Sequence, residues 1–452
     1  MTVEPKNFSS VSVFPCGICN LNCSYCGIDK NKALYEVDQI LEDSFKTDYY
    51  QKKFLKYVKR DTFTKLEGWG GEPLMRIERL FPLFDWLVDN YPNFSEFFVS
   101  TNFSYPDWSD KVISVLDAFG KHPSRKFHFE LQLSCDGPQP INDGGRGEGV
   151  TEKCLNNYVL LLDKLLKHPV PENVELSMHL KPTLTAKSIE QLQTMQDVKN
   201  YYRFFEKSFR EPFEARKPAR VTYGGGLPNT ATPAPVTKQE GINFGNFVKL
   251  CRQLEIENMS THEFFAQDFV PFGNRQCHFN GSYKNGPRGC GVGESSISFL
   301  PNNIFPYCHI GFGEYVKSYN KIREEGLKEG KKQIELGSRL DNARIPTCMT
   351  EEEFDKFMTI AHDIDVPDSE QKMHLIASTI QMLAEAGQID EKYKNPFVAL
   401  RAARVFANVH VYCIADGIQV ANTIALQPIG KYRETFNGAA DVYAEAYAGE
   451  KL

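Results

Sequence analysis

Twelve cysteines are spread unevenly over 452 residues, and Cys16, Cys19, Cys23 and Cys26 crowd into one short stretch. Cys19, Cys23 and Cys26 stand in the run CNLNCSYC, a C-x3-C-x2-C spacing. Three thiolates on so tight a loop can hold three irons of a [4Fe–4S] cube and leave the fourth iron open to a substrate or cofactor. Cys16 allows a rival geometry. Cys16-x2-Cys19 and Cys23-x2-Cys26 together resemble a four-thiolate zinc knuckle, although the loop between the pairs is short for zinc. A second set, Cys277, Cys290, Cys308 and Cys348, is spaced more widely. In a long intracellular chain, grouped cysteines point to a metal or redox site more than to disulfides. Cys135, Cys154, Cys251 and Cys413 read as core thiols.

The elements that must position these groups alternate in type. Strands are expected at Val11–Pro15, Lys65–Trp69, Glu96–Asn102, Lys126–Cys135, Val174–Leu184 and Ala219–Tyr223, with helical periodicity between them. Ile77, Leu80, Phe81, Phe84, Leu87 and Val88 trace one such helical stripe, and Asp107 and Thr151 are expected N-caps. Six strand–helix units in series imply a parallel sheet with right-handed crossovers. Phe127, Phe129, Leu131, Leu133 and Cys135 alternate with His128, Glu130, Gln132, Ser134 and Asp136, and Val174–Thr183 repeats the pattern. Parallel strands covered on both faces usually read as continuous apolar runs. One face here therefore packs under helices while the other meets water or a ligand, as in a partial barrel with a polar lumen. Glu130, Gln132, His179 and Lys181 on that face are candidate substrate contacts.

Residues 224–237 read as a Gly/Pro/Thr-rich loop, followed by a helix over about 238–254. Residues 262–350 are Gly- and Asn-rich. Helical patterning returns from Glu351, with a core stripe at Met373, Ile376, Ile380 and Leu383 and a C-cap at Gly387. The expected organisation is a barrel at 8–260, a cysteine-bearing extension at 261–350 and a helical segment at 351–452. Lys plus Arg number 52 against 58 Asp plus Glu, a net charge of -6, which gives no basic groove for nucleic acid. Hydrophobic residues make up 41% and charged residues 24%, so neither a disordered chain nor a coiled coil is expected. The apolar stretch Val405–Leu426 is interrupted by Asn408, His410, Asp416 and Gln419 and reads as a buried helix rather than a membrane span. Met1–Ser10 lacks signal-peptide order, so a cytoplasmic protein is expected.

These residues resemble the radical S-adenosylmethionine (SAM) enzymes. C-x3-C-x2-C with Tyr25 before its last cysteine follows the first strand, and Gly70-Gly71-Glu72-Pro73 after the second matches the family's GGEP. Ser100-Thr101-Asn102 ends the third strand, and Ser134-x-Asp136-Gly137-Pro138 ends the fourth. Asn142-Asp143 and Arg146 then follow a subgroup pattern in which Asn142 stands where His is common. The resemblance implies a partial (β/α)6 TIM-like barrel in which Cys19, Cys23 and Cys26 bind a [4Fe–4S] cluster and SAM chelates the open iron. Reductive cleavage of SAM would then give a 5'-deoxyadenosyl radical that abstracts hydrogen from a substrate. It implies cofactor contacts from Tyr25, Gly70, Gly71, Glu72, Pro73, Asn102, Ser134 and Arg146, the last two for the SAM carboxylate, and a substrate contact from Asp136.

The stretch CGVGESSISFLPNNIFPYCH is similar to the extension of the SPASM and twitch subgroups. It implies a hairpin of Ser296–Leu300 and Ile304–Tyr307 around Pro301-Asn302-Asn303. It also implies one auxiliary [4Fe–4S] cluster on Cys277, Cys290, Cys308 and Cys348; unrelated thiols or zinc are the alternatives for that set. His309 stands where sulfatase-maturating relatives place a general base. The function implied is oxidation, crosslinking or epimerisation of a peptide or protein residue, with an external flavodoxin- or ferredoxin-like electron donor. The barrel begins near residue 11, so the leader-binding domain of many peptide-modifying relatives is not expected. A radical dehydrogenase or mutase acting on a sugar or nucleoside, and a zinc-stabilised binding protein without redox chemistry, are the alternatives.

Overall fold

The alternation along the fourth expected strand becomes a two-faced strand. Phe127, Phe129, Leu131 and Leu133 are buried, while His128, Glu130 and Gln132 remain half-buried on the other side. The computed structural model describes residues 5–225 apart from 29, 31 and 32, then 229–230 and parts of 239–254. It also describes 296–403 apart from 307–310, 332, 346, 365–368, 397, 400 and 401. The stretch Val405–Leu426 lies outside the described residues. Among the described residues no helix is long and apolar enough to cross a membrane.

Six strands form at the expected places: β1 (Ser10–Cys16), β2 (Lys65–Gly70), β3 (Glu96–Thr101), β4 (Phe127–Leu133), β5 (Val174–Leu180) and, after the short β6 (Thr183–Leu184), β7 (Val221–Gly225). All six pair in parallel in the order β7-β5-β4-β3-β2-β1. Strands added in chain order through right-handed crossovers place their helices on one face. This is the topology of a partial (β/α)6 barrel. The outer helices include α1 (Ala33–Phe45), α2 (Tyr49–Tyr57), α3 (Phe81–Asn90), α4 (Trp108–Gly120), α5 (Gln139–Arg146) and α6 (Val150–Lys167). The apolar faces of α2 to α6 meet Val11, Val13, Leu66, Phe97, Val99, Leu131 and Met178 in one continuous core, while α1 packs in a second cluster with Phe14.

Of the two expected helix starts, the one at Asp107 stands and the one at Thr151 needs correction. Asp107 occupies the N-cap position of α4 but makes no side-chain capping bond. Thr151 lies inside α6, and the cap is supplied from α5: Asp143 accepts from Gly149 N, Thr151 N and the Thr151 hydroxyl at 3.0, 2.8 and 2.6 Å. A carboxylate reaching back from the preceding helix is invisible to a search for a capping residue adjacent in sequence. Gly387 does adopt the left-handed conformation after the helix Ser369–Glu385, with φ of 69°.

The expected hairpin at 296–307 also differs. After β8 (Asn229–Thr230), which pairs with β6, the strand β9 (Ser296–Ser298) joins the sheet as a seventh parallel strand beside β1. Only Leu300 and Ile304 bridge across the turn, where Asn302 and Asn303 take φ of 63° and 56°. β10 (Ile304–Pro306) turns away and pairs antiparallel with β11 (Cys348–Thr350). The lobe shares its cores with the barrel: Phe14, Leu34, Val37 and Leu41 pack with Leu300, Ile304, Phe312, Tyr315 and Cys348. Phe14 stacks on Phe312 with ring centroids 5.1 Å apart.

Candidate active site

Cys19, Cys23 and Cys26 lie on the loop after β1, at the C-terminal edge of the sheet, where β/α folds place their sites. All three are half-buried free thiols, and each lies within electrostatic reach of the other two. Burial raises the Cys19 thiol above its ordinary range and pushes Cys23 to about 11, so metal binding there must displace protons. Cys16 differs. It is fully buried at the end of β1, and its thiol donates to the Ile18 carbonyl at 3.3 Å. Among the described residues no three His, Cys, Asp or Glu side chains stand at metal-binding separations. Three soft donors on one loop are the donor set of an iron–sulfur site.

Three anchors hold this loop. The first is the Gly70–Glu72 segment. Gly71 N donates to Cys16 O at 2.9 Å and Glu72 N to Ile18 O at 2.8 Å. A Cβ on Gly70 would overlap the Cys16 carbonyl, and one on Gly71 the Gly17 and Ile18 carbonyls; Gly70 also has φ of 130°. Pro73 begins the short helical turn Pro73–Leu80, of which Glu72 is the N-cap. The Glu72 carboxylate is buried. It accepts from the Thr101 hydroxyl at 2.6 Å, Asn102 N at 2.7 Å and Leu74 N at 3.4 Å. Burial pushes it up to about 7. Its side chain thus ties the end of β2 to β3.

The second anchor is α1 with the turn after β2. Arg79 donates to Asp38 at 3.0 Å, to Glu42 at 2.7 Å and to Pro15 O at 2.9 Å, while Gly17 N donates to Asp38 at 2.8 Å. This clamp was not singled out from sequence, because its members are scattered over 15–79 without a motif.

The third anchor is α5. Arg146 grips Asp136 with its fork, Nε to Oδ2 at 2.8 Å and Nη2 to Oδ1 at 2.6 Å, and both side chains are buried. Asp136 also accepts from the Tyr25 hydroxyl at 2.6 Å and Thr183 N at 2.9 Å. Asp136 is therefore a buried joint between the loop, α5 and the chain after β5, and Arg146 meets an internal carboxylate there. The sequence showed a fork and a carboxylate ten residues apart but not that each was the other's partner. Asn142 completes the joint, accepting from Asp136 N at 2.9 Å and donating to Thr151 at 3.0 Å. Tyr25 lies under the Arg146 guanidinium, 5.6 Å from ring centroid to Cζ, and Ser24 N donates to Gly145 O at 2.8 Å.

Ser134, just after β4, is half-buried, and among the described residues its hydroxyl has no hydrogen-bond partner. Lys30 acts electrostatically on both Cys19 and Glu72. On the lumen face, Glu130 pairs with Lys65 at 2.7 Å and Gln132 donates to Ser100 at 2.8 Å. His179 faces Gly224, where a Cβ would lie 2.9 Å from its Nδ1, and Lys181 N donates to Leu133 O at 2.8 Å. Sequence reasoning missed Glu67 on the same face, which accepts from Ser12 at 2.8 Å and Trp69 Nε1 at 3.0 Å through one carboxylate oxygen. Its period-2 register with Lys65 was the available signal.

Cys277, Cys290, Cys308 and His309 lie outside the described residues. Cys348 is buried in β11, opposite Pro306, and its thiol donates to Gly311 O at 3.9 Å. Both flanks of the segment 307–310 therefore sit against Cys348. The helix Gly311–Lys328 also backs onto the residue after Cys26: a Cβ on Gly313 would lie 2.8 Å from Gly27 O.

No family model and no curated protein matches the chain. Among solved structures it is similar to native anSMEcpe with bound AdoMet, at 16% identity and TM-score 0.41, over 67% of this chain and 74% of that one. It is also similar to native anSMEcpe with bound AdoMet and the Cp18Cys peptide, at 13% identity and TM-score 0.43, over 97% of this chain and 96% of that one. These likenesses concern the fold, and the reading of the site rests on its own residues.

Proposed function

We propose that this chain is a radical SAM enzyme that acts on a peptide or protein residue. One observation carries the reading: three thiols share a loop at the C-terminal edge of a parallel barrel sheet, while the fourth nearby cysteine is turned away into the strand. Cys19, Cys23 and Cys26 would hold a [4Fe–4S] cluster with one iron open to SAM. Together these groups supply one-electron cleavage of the SAM sulfonium and a hydrogen-abstracting 5'-deoxyadenosyl radical. The chain's own residues position and enclose. The Gly70–Glu72 backbone offers acceptors for the SAM amino group. Two N–H groups of Arg146 hold Asp136, and its remaining N–H groups, the Ser134 hydroxyl and the Lys30 ammonium are the proposed donors for the SAM carboxylate. The lumen row of Ser12, Glu67, Phe98, Glu130 and Ser177, polar apart from Phe98, suits a substrate that carries hydrogen-bonding groups beside an apolar one.

An auxiliary cluster on Cys277, Cys290, Cys308 and Cys348 belongs to the same reading, supported by the way the ends of 307–310 flank Cys348. His309 is the proposed base, from its place beside Cys308 and the neutral pKa range of imidazole. Its replacement by Ala should slow product formation more than cofactor cleavage. Metal analysis after anaerobic reconstitution tests the whole proposal. About eight irons per chain with matching sulfide are expected for two cubes; stoichiometric zinc in place of iron would end the radical reading.

A further inference from the structure

Asn102 ends β3 and carries more hydrogen bonds than a turn residue requires. Its Oδ1 accepts from Ser104 N at 3.0 Å and from the Ser104 hydroxyl at 2.7 Å. The backbone donor fixes which end of the amide is oxygen, because the opposite orientation would set N–H against N–H. Nδ2 must then face the cysteine loop. There it donates to Asn20 Oδ1 at 2.9 Å and to Cys19 Sγ at 3.5 Å. Asn20 closes a ring by donating to the Ser104 hydroxyl at 2.8 Å. The Cys19 sulfur receives a second donor, Leu21 N, at 3.5 Å. Among the described residues, neither Cys23 nor Cys26 receives a hydrogen bond at its sulfur. The backbone N–H of Asn102 meanwhile holds Glu72 at 2.7 Å, so one residue joins the cysteine loop to the Gly70–Glu72 segment.

We propose that Asn102 is a positioning residue that sets the redox character of the loop's metal centre by donating a side-chain N–H to the Cys19 sulfur. This rests on the cluster assignment made above. A cluster gains negative charge on reduction, and that charge falls partly on its sulfur ligands. A donor aimed at one of them stabilises the reduced form and raises the reduction potential. The ring through Ser104 and Asn20 keeps the donor aimed before any metal arrives. The two donors fall on one sulfur of three, so the effect is local to the iron that Cys19 would bind.

The test uses the reconstituted full-length protein, titrated with dithionite and followed by electron paramagnetic resonance. Asn102→Ala should load the same iron as wild type but show about a tenfold lower ratio of reduced to oxidised cluster at a fixed potential, about 59 mV for a one-electron couple. Asn102→Asp, which keeps the acceptor for Ser104 and replaces the donor with an anion, should shift at least as far. Ser104→Ala loosens the ring but spares the donor, and should shift less than either. Full iron loading with the wild-type potential in Asn102→Ala and Asn102→Asp overturns the inference and leaves the proposed function standing. If neither variant loads iron, the wild-type enzyme still decides. Labelling asparagine side chains with nitrogen-15 should add a hyperfine coupling to the reduced cluster, and its absence overturns the inference. A wild-type protein that binds no iron overturns the proposed function itself.

Discussion

At the scale of single residues, chemistry was legible where a side chain acts through its type and hidden where it acts through its partner. The three loop cysteines could be read from spacing, but the burial that separates Cys16 from them could not. Ala substitution of Cys19, Cys23 or Cys26 should abolish 5'-deoxyadenosine formation, whereas Cys16→Ala should keep it; product assays on the four variants decide. Glu72 carries a pH dependence. Its carboxyl is held at about 7 when folded, against an ordinary 4.5, because burial disfavours the charge. The folded state therefore binds this proton more tightly. The stability it contributes is complete below about 4.5 and is lost as pH rises through about 7. The metal-free protein should lose about 3 kcal/mol from this group over that window. Urea midpoints at pH 4.5 and 8 should fall further for wild type than for Glu72→Gln, and parallel falls would refute the assignment.

Elements show a different division. The strands from β1 to β7 lie close to their expected limits because a period of two, bounded by turn residues, survives in any environment. The motifs at the strand ends were legible as motifs, but their internal wiring was not. Asp136 and Arg146 read as two separate ligands and turn out to satisfy one another. Breaking such a buried pair from one side leaves an uncompensated charge, so Asp136→Leu should cost about 3–5 kcal/mol in chemical denaturation. The paired change Asp136→Leu with Arg146→Met should recover part of that loss; simple additivity would show that the two do not act as a pair. Gly71→Ala would drive a methyl into the Gly17 and Ile18 carbonyls. It should shift the cysteine loop and lower iron retention after desalting, with little change in helical content.

For the molecule as a whole, the sequence suggested three consecutive units, and the structure shows shared cores. The helix Glu351–Asp363 docks on α2 through a half-buried charge cluster in which Lys53 is the buried member. Lys53 pairs with Glu351 at 2.8 Å beneath the ring of Phe305, and the Tyr57 hydroxyl donates to Asp355 at 2.7 Å. Glu351→Gln leaves the Lys53 ammonium buried with a weaker partner. Amide exchange across 351–363 should then quicken while the barrel strands stay protected, and uniform exchange in both regions would argue against local docking. The hairpin expected at 296–307 was misassigned because a local search pairs neighbours in sequence, whereas each arm pairs with a strand far along the chain. That arrangement bears on how the protein can be divided. β9 shields one flank of β1, whose residues Ser10–Cys16 are wholly buried and strongly strand-forming. A fragment cut before residue 296 would bare that flank together with Phe14 and Leu41, making a sticky template for self-association. The barrel is thus unsuited to life as an excised core, and truncations meant to isolate it should precipitate rather than simplify the protein.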